Sequence, residues 1–125
     1  MTEDKLLKLD LNGQEVALVI KRATTRTGIK RSLMIFAAMD AHEKNVTNKA
    51  EEDEVAFVLS YRTMPDLIAG TESVEGMEYP ITIEQLMDLP EEFVTNWIQA
   101  IYEVNPHWNP VNMVLEDDKK KKAKS

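Results

Sequence analysis

The stretch from residue 81 to residue 108 constrains the fold more than any other part of this chain. It reads ITIEQLMDLPEEFVTNWIQAIYEVNPHW. Thr82, followed three residues later by Gln85, forms a capping-box pattern in which each side chain satisfies a backbone donor of the first helical turn. This pattern predicts a short helix over residues 83–89. Pro90 fits the first turn of a helix, and the two glutamates after it suit the positive end of a helix dipole, so a longer helix is predicted to follow.

This longer helix carries an apolar stripe on one side. Asn105 and Pro106 are predicted to end it, because the residue before a proline is disfavoured in the helical region. Large apolar side chains can either fill a core or anchor a partner, and the pattern does not separate these two roles. Apolar residues recur at spacings of three and four, at Phe93, Trp97, Ile101 and Val104. The candidate partner-binding residues are therefore Phe93, Trp97 and Ile101 of this stripe, together with Trp108, which lies beyond the predicted end of the helix.

Residues 5–21 are predicted to form a β-hairpin. Asn12 and Gly13 make a two-residue type I′ turn, because both positions need a positive φ that Asn and Gly tolerate. Pairing across this turn sets Leu9 opposite Val16 and gives one mostly aliphatic face. A two-stranded hairpin is marginal in water, so this one is predicted to lean on helices or to gain a strand from a partner.

The first helical pattern after the hairpin covers residues 28–44, and Thr25 or Thr27 is predicted to cap it. Basic residues surround its start and are predicted to form a solvated edge facing the acidic half of the chain: Lys21, Arg22, Arg26, Lys30 and Arg31. Four residues at helical spacing are predicted to face inward: Ile29, Leu33, Phe36 and Ala37.

Two further segments precede the stretch at residues 81–108. A helical pattern covers residues 51–64, and Pro65 interrupts it before a short helical turn that Gly70 closes. Residues 71–79 are acidic and lack periodicity, which predicts a mobile loop.

The chain is therefore predicted to have an α+β fold. We expect an N-terminal β-hairpin, then a mainly α-helical bundle of three to five helices, and finally a disordered basic C-terminal tail. With 125 residues the chain has the length of one domain. The predicted globular domain covers residues 1–115, with its helical part at 28–115, and the predicted tail covers residues 116–125.

The net charge of −7 conceals an uneven distribution. Residues 1–50 carry a net charge of +3, residues 51–118 carry −15 and residues 119–125 carry +5. An acidic body of this kind suits a basic partner or the chain's own basic ends. Plain solubility is the alternative explanation, and the composition does not decide between them.

No motif in the sequence supports catalysis. There is no P-loop and no dinucleotide-binding glycine pattern, and the two histidines lie far apart. The absence of cysteine removes thiolate nucleophiles and zinc–thiolate sites. We therefore predict a non-enzymatic protein without catalytic, cofactor-binding or metal-binding residues. Since no apolar run reaches the roughly 20 residues of a membrane helix, and no signal peptide is recognisable, a cytoplasmic protein without a membrane partner is expected.

The run from residue 81 to residue 106 resembles the C-terminal part of the tail assembly chaperones of long-tailed bacteriophages. The similarity lies in the I-T-I-E-Q-L-M-D-L-P opening, the amphipathic helix and the N-P stop. The size, the acidic body and the absence of cysteine are similar too. The resemblance implies a protein that binds the tape measure protein and the major tail (tube) protein and keeps them soluble before the tail polymerises. It also implies action in the host cytoplasm and absence from the mature virion.

The lysines at residues 119–122 add one further similarity. In many phages of this kind, ribosomes slip by one nucleotide near the end of the chaperone reading frame and produce a longer form. Slippage favours A-rich codons, and lysine is encoded by AAA or AAG. The resemblance therefore implies a frameshifted longer form as another partner, while a solubilising basic tail is the alternative.

Two other functions remain open from the sequence. A structural phage component, such as a head-tail connector or tail-terminator subunit, should self-assemble, whereas a chaperone should stay small until its client protein is present. A small nucleic-acid-binding regulator would use the basic residues between 21 and 31. That cluster lacks interleaved aromatic residues and conflicts with the acidic body, so no nucleic-acid partner is expected.

Overall fold

The computed structural model describes residues 4–44 and 51–110. Besides the regular elements, a π-helical turn covers Leu59–Thr63 and a 3-10 turn covers Pro106–Trp108. The α+β class is confirmed, with a hairpin ahead of the helices, whereas residues 111–125, including the predicted tail, lie outside the described residues. The strands and α-helices, in chain order, are β1 (Lys5–Leu11), β2 (Gln14–Ile20), α1 (Thr25–Lys44), α2 (Glu51–Val58), α3 (Met64–Gly70), β3 (Thr71–Glu75), α4 (Ile83–Asp88) and α5 (Glu91–Val104).

The hairpin forms with the predicted turn and register. Asn12 and Gly13 both have positive φ angles, 51° and 90°, and Leu9 pairs with Val16. Because side chains alternate across a strand, every second residue of β2 points to one face of the sheet. These residues of β2 are fully buried: Val16, Leu18 and Ile20.

Residues 71–75 form β3, so the prediction of a loop over this segment was wrong. β3 pairs antiparallel with β2, and the sheet order is β1-β2-β3. Acidic side chains do not prevent this pairing, since on an edge strand they project into solvent while the backbone is hydrogen-bonded. Gly76 then turns the chain with a φ of 103°, and a Cβ there would lie 2.5 Å from the Glu15 carbonyl oxygen. The hairpin thus gains its third strand from within the chain.

The helices of the C-terminal stretch follow their sequence signals. Gln85 N–H donates to Thr82 Oγ1 over 3.1 Å, and Thr82 N–H donates to Gln85 Oε1 over 2.8 Å, which completes the predicted capping box of α4. α5 starts after Pro90 and ends at Val104, as its proline signals indicate. Its apolar stripe packs against the hairpin and α3, which forms the core.

Pro65 produces a local change of helix type. It has no N–H to donate to a carbonyl one helical turn earlier, and its ring would crowd that turn. The chain responds with the π-helical turn, in which Met64 N–H donates to Leu59 O, five residues back. α3 then ends at Gly70 as predicted. A Cβ at Gly70 would lie 2.7 Å from Ile101 Cγ2, so the absence of a side chain lets α3 approach α5 closely.

α1 differs from its prediction in its cap and in its orientation. Thr24 takes the capping role predicted for Thr25 or Thr27: its Oγ1 accepts from Thr27 N–H, and Thr27 Oγ1 accepts from Thr24 N–H. The four residues predicted to face inward are all exposed: Ile29, Leu33, Phe36 and Ala37. The helix packs against α3 and the π-helical turn instead, and the half-buried residues on its inner side include Arg31, Met34, Ile35 and Ala38.

Candidate functional site

The structure places all four candidate partner-binding residues in the core. Phe93, Trp97 and Ile101 are buried on α5, and Trp108 is buried in the 3-10 turn. Trp97 is 0% exposed, and its Nε1–H donates to Thr71 Oγ1 over 2.9 Å, which ties α5 to β3. In this conformation none of the four side chains offers a surface to a partner. Of the two roles that the sequence left open, packing is the one that their burial supports.

A buried carboxylate connects α1, α3 and α5. Asp66 on α3 is 1% exposed, and it accepts hydrogen bonds from Arg31 Nε on α1 and from Tyr102 Oη on α5, the latter over 2.7 Å. Both carboxylate oxygens therefore have a donor, which compensates for their removal from water. The Arg31 guanidinium also lies over the Trp108 ring, 5.0 Å from its centroid. Arg31 thus does not belong to the predicted solvated basic edge, and it fixes which side of α1 faces the body.

Asn105 is a second buried polar residue, and the sequence indicated it only as a helix stop. Its side chain accepts from Ala23 N–H over 2.7 Å and donates to Lys21 O over 3.0 Å. These bonds join the end of α5 to the connection between β2 and α1. They span more than 80 residues of sequence, so no local pattern could have revealed them.

Two tyrosines with raised pKa values should make the folded chain less stable at alkaline pH. Burial raises the pKa of Tyr79 from 10 to about 12. Burial also raises the pKa of Tyr102, and the hydrogen bond to Asp66 and its negative charge add to this effect. Because the unfolded tyrosines release their protons first, the free energy of unfolding should be unaffected below pH 10 and should fall as the pH rises towards 12.

Chemical denaturation from neutral pH upward measures this dependence, with the Tyr79→Phe/Tyr102→Phe variant as the comparison. The variant should lose less stability than the native chain above pH 10. Equal losses in the two proteins would contradict the assignment to these tyrosines.

The side of α1 that points away from Asp66 is an uncovered apolar surface. Ile29, Leu33 and Phe36 are 56%, 63% and 67% exposed. At about 100° of rotation per residue, all three lie roughly opposite Arg31 on the helix. Their spacing of four and three places them in one row rather than scattered over the surface. We call these three residues the outer face of α1.

The charges beside the outer face differ between the two ends of α1. Arg26 and Lys30 are exposed towards its N-terminal end. Asp40 and Glu43 are exposed towards its C-terminal end, where Asp40 forms an ion pair with Lys44 at 3.0 Å. One end of the outer face is therefore flanked by basic residues, and the other end is flanked by both acidic residues of the helix.

Other features of the described residues are weaker evidence for a function. Within residues 4–44 and 51–110, no group of three or more acidic or histidine residues with described side chains could hold a metal ion. No helix in these ranges combines the length and apolar character needed to cross a membrane. An open pocket of about 420 Å³ lies between the hairpin and α5, and it contains carboxylates but no histidine; it is lined by Leu9, Asp10, Asn12, Pro90, Glu92, Phe93 and Asn96.

The sequence pattern located the residues of the outer face but assigned them to the wrong side of the helix. Apolar residues lie on both sides of α1, so periodicity alone did not decide which side would pack. Comparisons with protein-family models, with curated proteins and with solved structures give no match for this chain. The outer face of α1 is consequently the feature on which a binding function can be argued.

Proposed function

We propose that this protein is a tail assembly chaperone of a long-tailed bacteriophage. It binds the tape measure protein and the major tail (tube) protein and keeps them soluble until the tail polymerises. The resemblance of residues 81–106 to such chaperones supports the identity of the clients. The observation that carries the binding function is the outer face of α1, where three large apolar side chains stand in solvent on the longest described helix.

The mechanism is reversible holding of an apolar helical segment. Full burial of a large apolar side chain is worth about 1.5–3 kcal/mol, so covering the remaining exposure of these three would contribute about 3–5 kcal/mol. Association itself costs an estimated 4–15 kcal/mol. The outer face alone therefore supports weak and transient contacts, and a long client gains affinity by contacting several chaperone molecules. Release on polymerisation needs contacts of this strength.

The charges on this protein should speed its association with a client rather than tighten the complex. The body of the chain is strongly acidic, while the exposed Arg26 and Lys30 flank one end of the outer face. Complementary charges on a client would speed association and orient the client segment, and added salt would reduce this effect.

The proposal includes action in the host cytoplasm and absence from the mature virion. It also includes a frameshifted longer form as a further partner, although residues 119–122 lie outside the described residues. A membrane or nucleic-acid partner is not part of it. Arg31 is engaged with Asp66, which leaves fewer basic side chains for contact with phosphates.

Co-expression with the tape measure and tail tube proteins of the same phage tests the proposal. The native chain should raise the soluble fraction of these clients and co-elute with them. The variant Leu33→Ser/Phe36→Ser should lose most of this effect, because it removes the apolar surface at exposed positions. The matched control Val55→Ser/Val58→Ser, which changes two exposed apolar residues of α2, should retain it.

Clients that are equally soluble with and without the chain would contradict the proposal. If the chain alone instead formed rings or tubes, the structural alternative, a head-tail connector or tail-terminator subunit, would replace it.

A further inference from the structure

The outer face belongs to a longer row of residues with the spacing of a coiled-coil seam. Positions along this row alternate by three and four residues, which is the heptad spacing of the two core positions of a coiled coil. Its centre is apolar, its N-terminal end is basic and its C-terminal end is acidic. We call this row the α1 seam; it consists of Arg26, Ile29, Leu33, Phe36, Asp40 and Glu43.

Two copies of the seam match each other when the helices run antiparallel. Centring the pair between Leu33 and Phe36 places each Leu33 opposite the Phe36 of the other copy. The same register places Arg26 opposite Glu43 of the other copy at both ends of the pair, and it places Ile29 opposite Asp40 between the ends and the centre. A parallel arrangement would instead set Arg26 against Arg26 and Glu43 against Glu43, and like charges at such positions are unfavourable. The two Arg26–Glu43 pairs therefore favour the antiparallel orientation and this register.

We infer that a second copy of this chain covers the α1 seam, through an antiparallel pairing of the two α1 helices. The contact is isologous, so the same surface is used by both protomers and the assembly closes at two. The seam is free to make this contact, because its apolar residues lie on the side of α1 roughly opposite Arg31, which anchors the helix to the body.

The dimer should be weak and concentration-dependent. A helix of 20 residues is about 30 Å long, and each copy brings three large apolar side chains to the seam, whereas a stable interface uses about 20–30 residues on each side. The inference does not depend on the proposed function, although both use the outer face. If both hold, a client competes with the second copy for the same surface, and dimerisation keeps the apolar row covered until a client is present.

Analytical ultracentrifugation of the full chain over a range of concentrations tests the inference with four proteins. The native chain should move from monomer to dimer as its concentration rises. Arg26→Glu and Glu43→Arg should each weaken the dimer roughly tenfold, because each creates two like-charge contacts. The double variant Arg26→Glu/Glu43→Arg should regain most of the native affinity, since it restores both pairs with the charges exchanged.

The charge reversals are suited to this test because they should not destabilise α1. An acid in the first turn and a base in the last turn of α1 both interact favourably with the helix dipole. A native chain that remains monomeric throughout would overturn the inference. So would a dimer that neither single reversal affects, or a single-variant loss that the double variant does not restore. Because no client is present, these results are separate from those of the co-expression experiment.

Discussion

Replacing Asp66 with alanine is expected to lower the free energy of unfolding by about 3–5 kcal/mol. The change removes the acceptor for both Arg31 and Tyr102, and it leaves the guanidinium of Arg31 on the inner side of α1 without its counter-charge. Domains of this kind are stable by only about 5–15 kcal/mol. A loss of this size therefore brings the chain close to unfolding, and α1 should be the first element to detach.

Denaturation by urea measures this effect, and Asp40→Ala is the matched control. Asp40 is also an aspartate paired with a basic residue, Lys44, but it is exposed and lies within one helix. Such a pair contributes about 0.3–0.5 kcal/mol. Equal losses from the two substitutions would contradict the role of burial. The double variant Arg31→Met/Asp66→Ala should recover part of the loss, because no unpaired charge then remains at the buried site.

The ion pair between Arg31 and Asp66 explains why the apolar periodicity of α1 predicted the wrong buried side. Periodicity shows that residues share a face, but it does not show which face meets the body when apolar residues lie on both. The decision depends on Asp66, which is 35 positions away from Arg31 and belongs to another helix. A buried aspartate in the segment PDLIAG has no signal in the sequence, since most aspartates are exposed.

Elements defined by neighbouring residues were predicted well. The type I′ turn, the capping box of α4 and the proline boundaries of α5 each depend on residues within a few positions of one another, and the structure contains all of them. β3 was missed because an edge strand takes its stability from the backbone of β2, about 55 positions earlier, rather than from its own side chains. For the same reason the role of Thr71 as acceptor for Trp97 could not be foreseen.

The burial of the predicted partner-binding residues has a consequence for any binding surface on this chain. Aromatic residues on an amphipathic helix satisfy the description of an interface anchor and of a core residue equally well. In this fold α5 already has its partner, namely the aliphatic face of the hairpin, whereas α1 is covered on one side only. The aromatic residue that this fold exposes to a partner is Phe36 on α1. The apolar pattern of α1 is less regular than that of α5.

Trp97→Ala is expected to lower the free energy of unfolding by about 3–5 kcal/mol, the range for removal of a large buried aromatic side chain. Trp97 is fully buried against the sheet, and the substitution also leaves Thr71 Oγ1 without its donor. Phe36→Ala is the contrasting aromatic substitution, because Phe36 is largely exposed. It should change stability by no more than about 0.5 kcal/mol, as most surface substitutions do.

The two aromatic variants together separate packing from binding. In thermal unfolding, the melting temperature should decrease strongly for Trp97→Ala and hardly at all for Phe36→Ala. Client solubility and dimer formation should nevertheless decrease for Phe36→Ala, although its stability is unchanged. Trp97→Phe, which keeps most of the apolar volume but lacks the indole N–H, should fall between Trp97→Ala and the native chain in stability. A Trp97→Ala protein that folds as stably as the native chain, yet no longer holds its client, would reverse the assignment and return Trp97 to the binding surface.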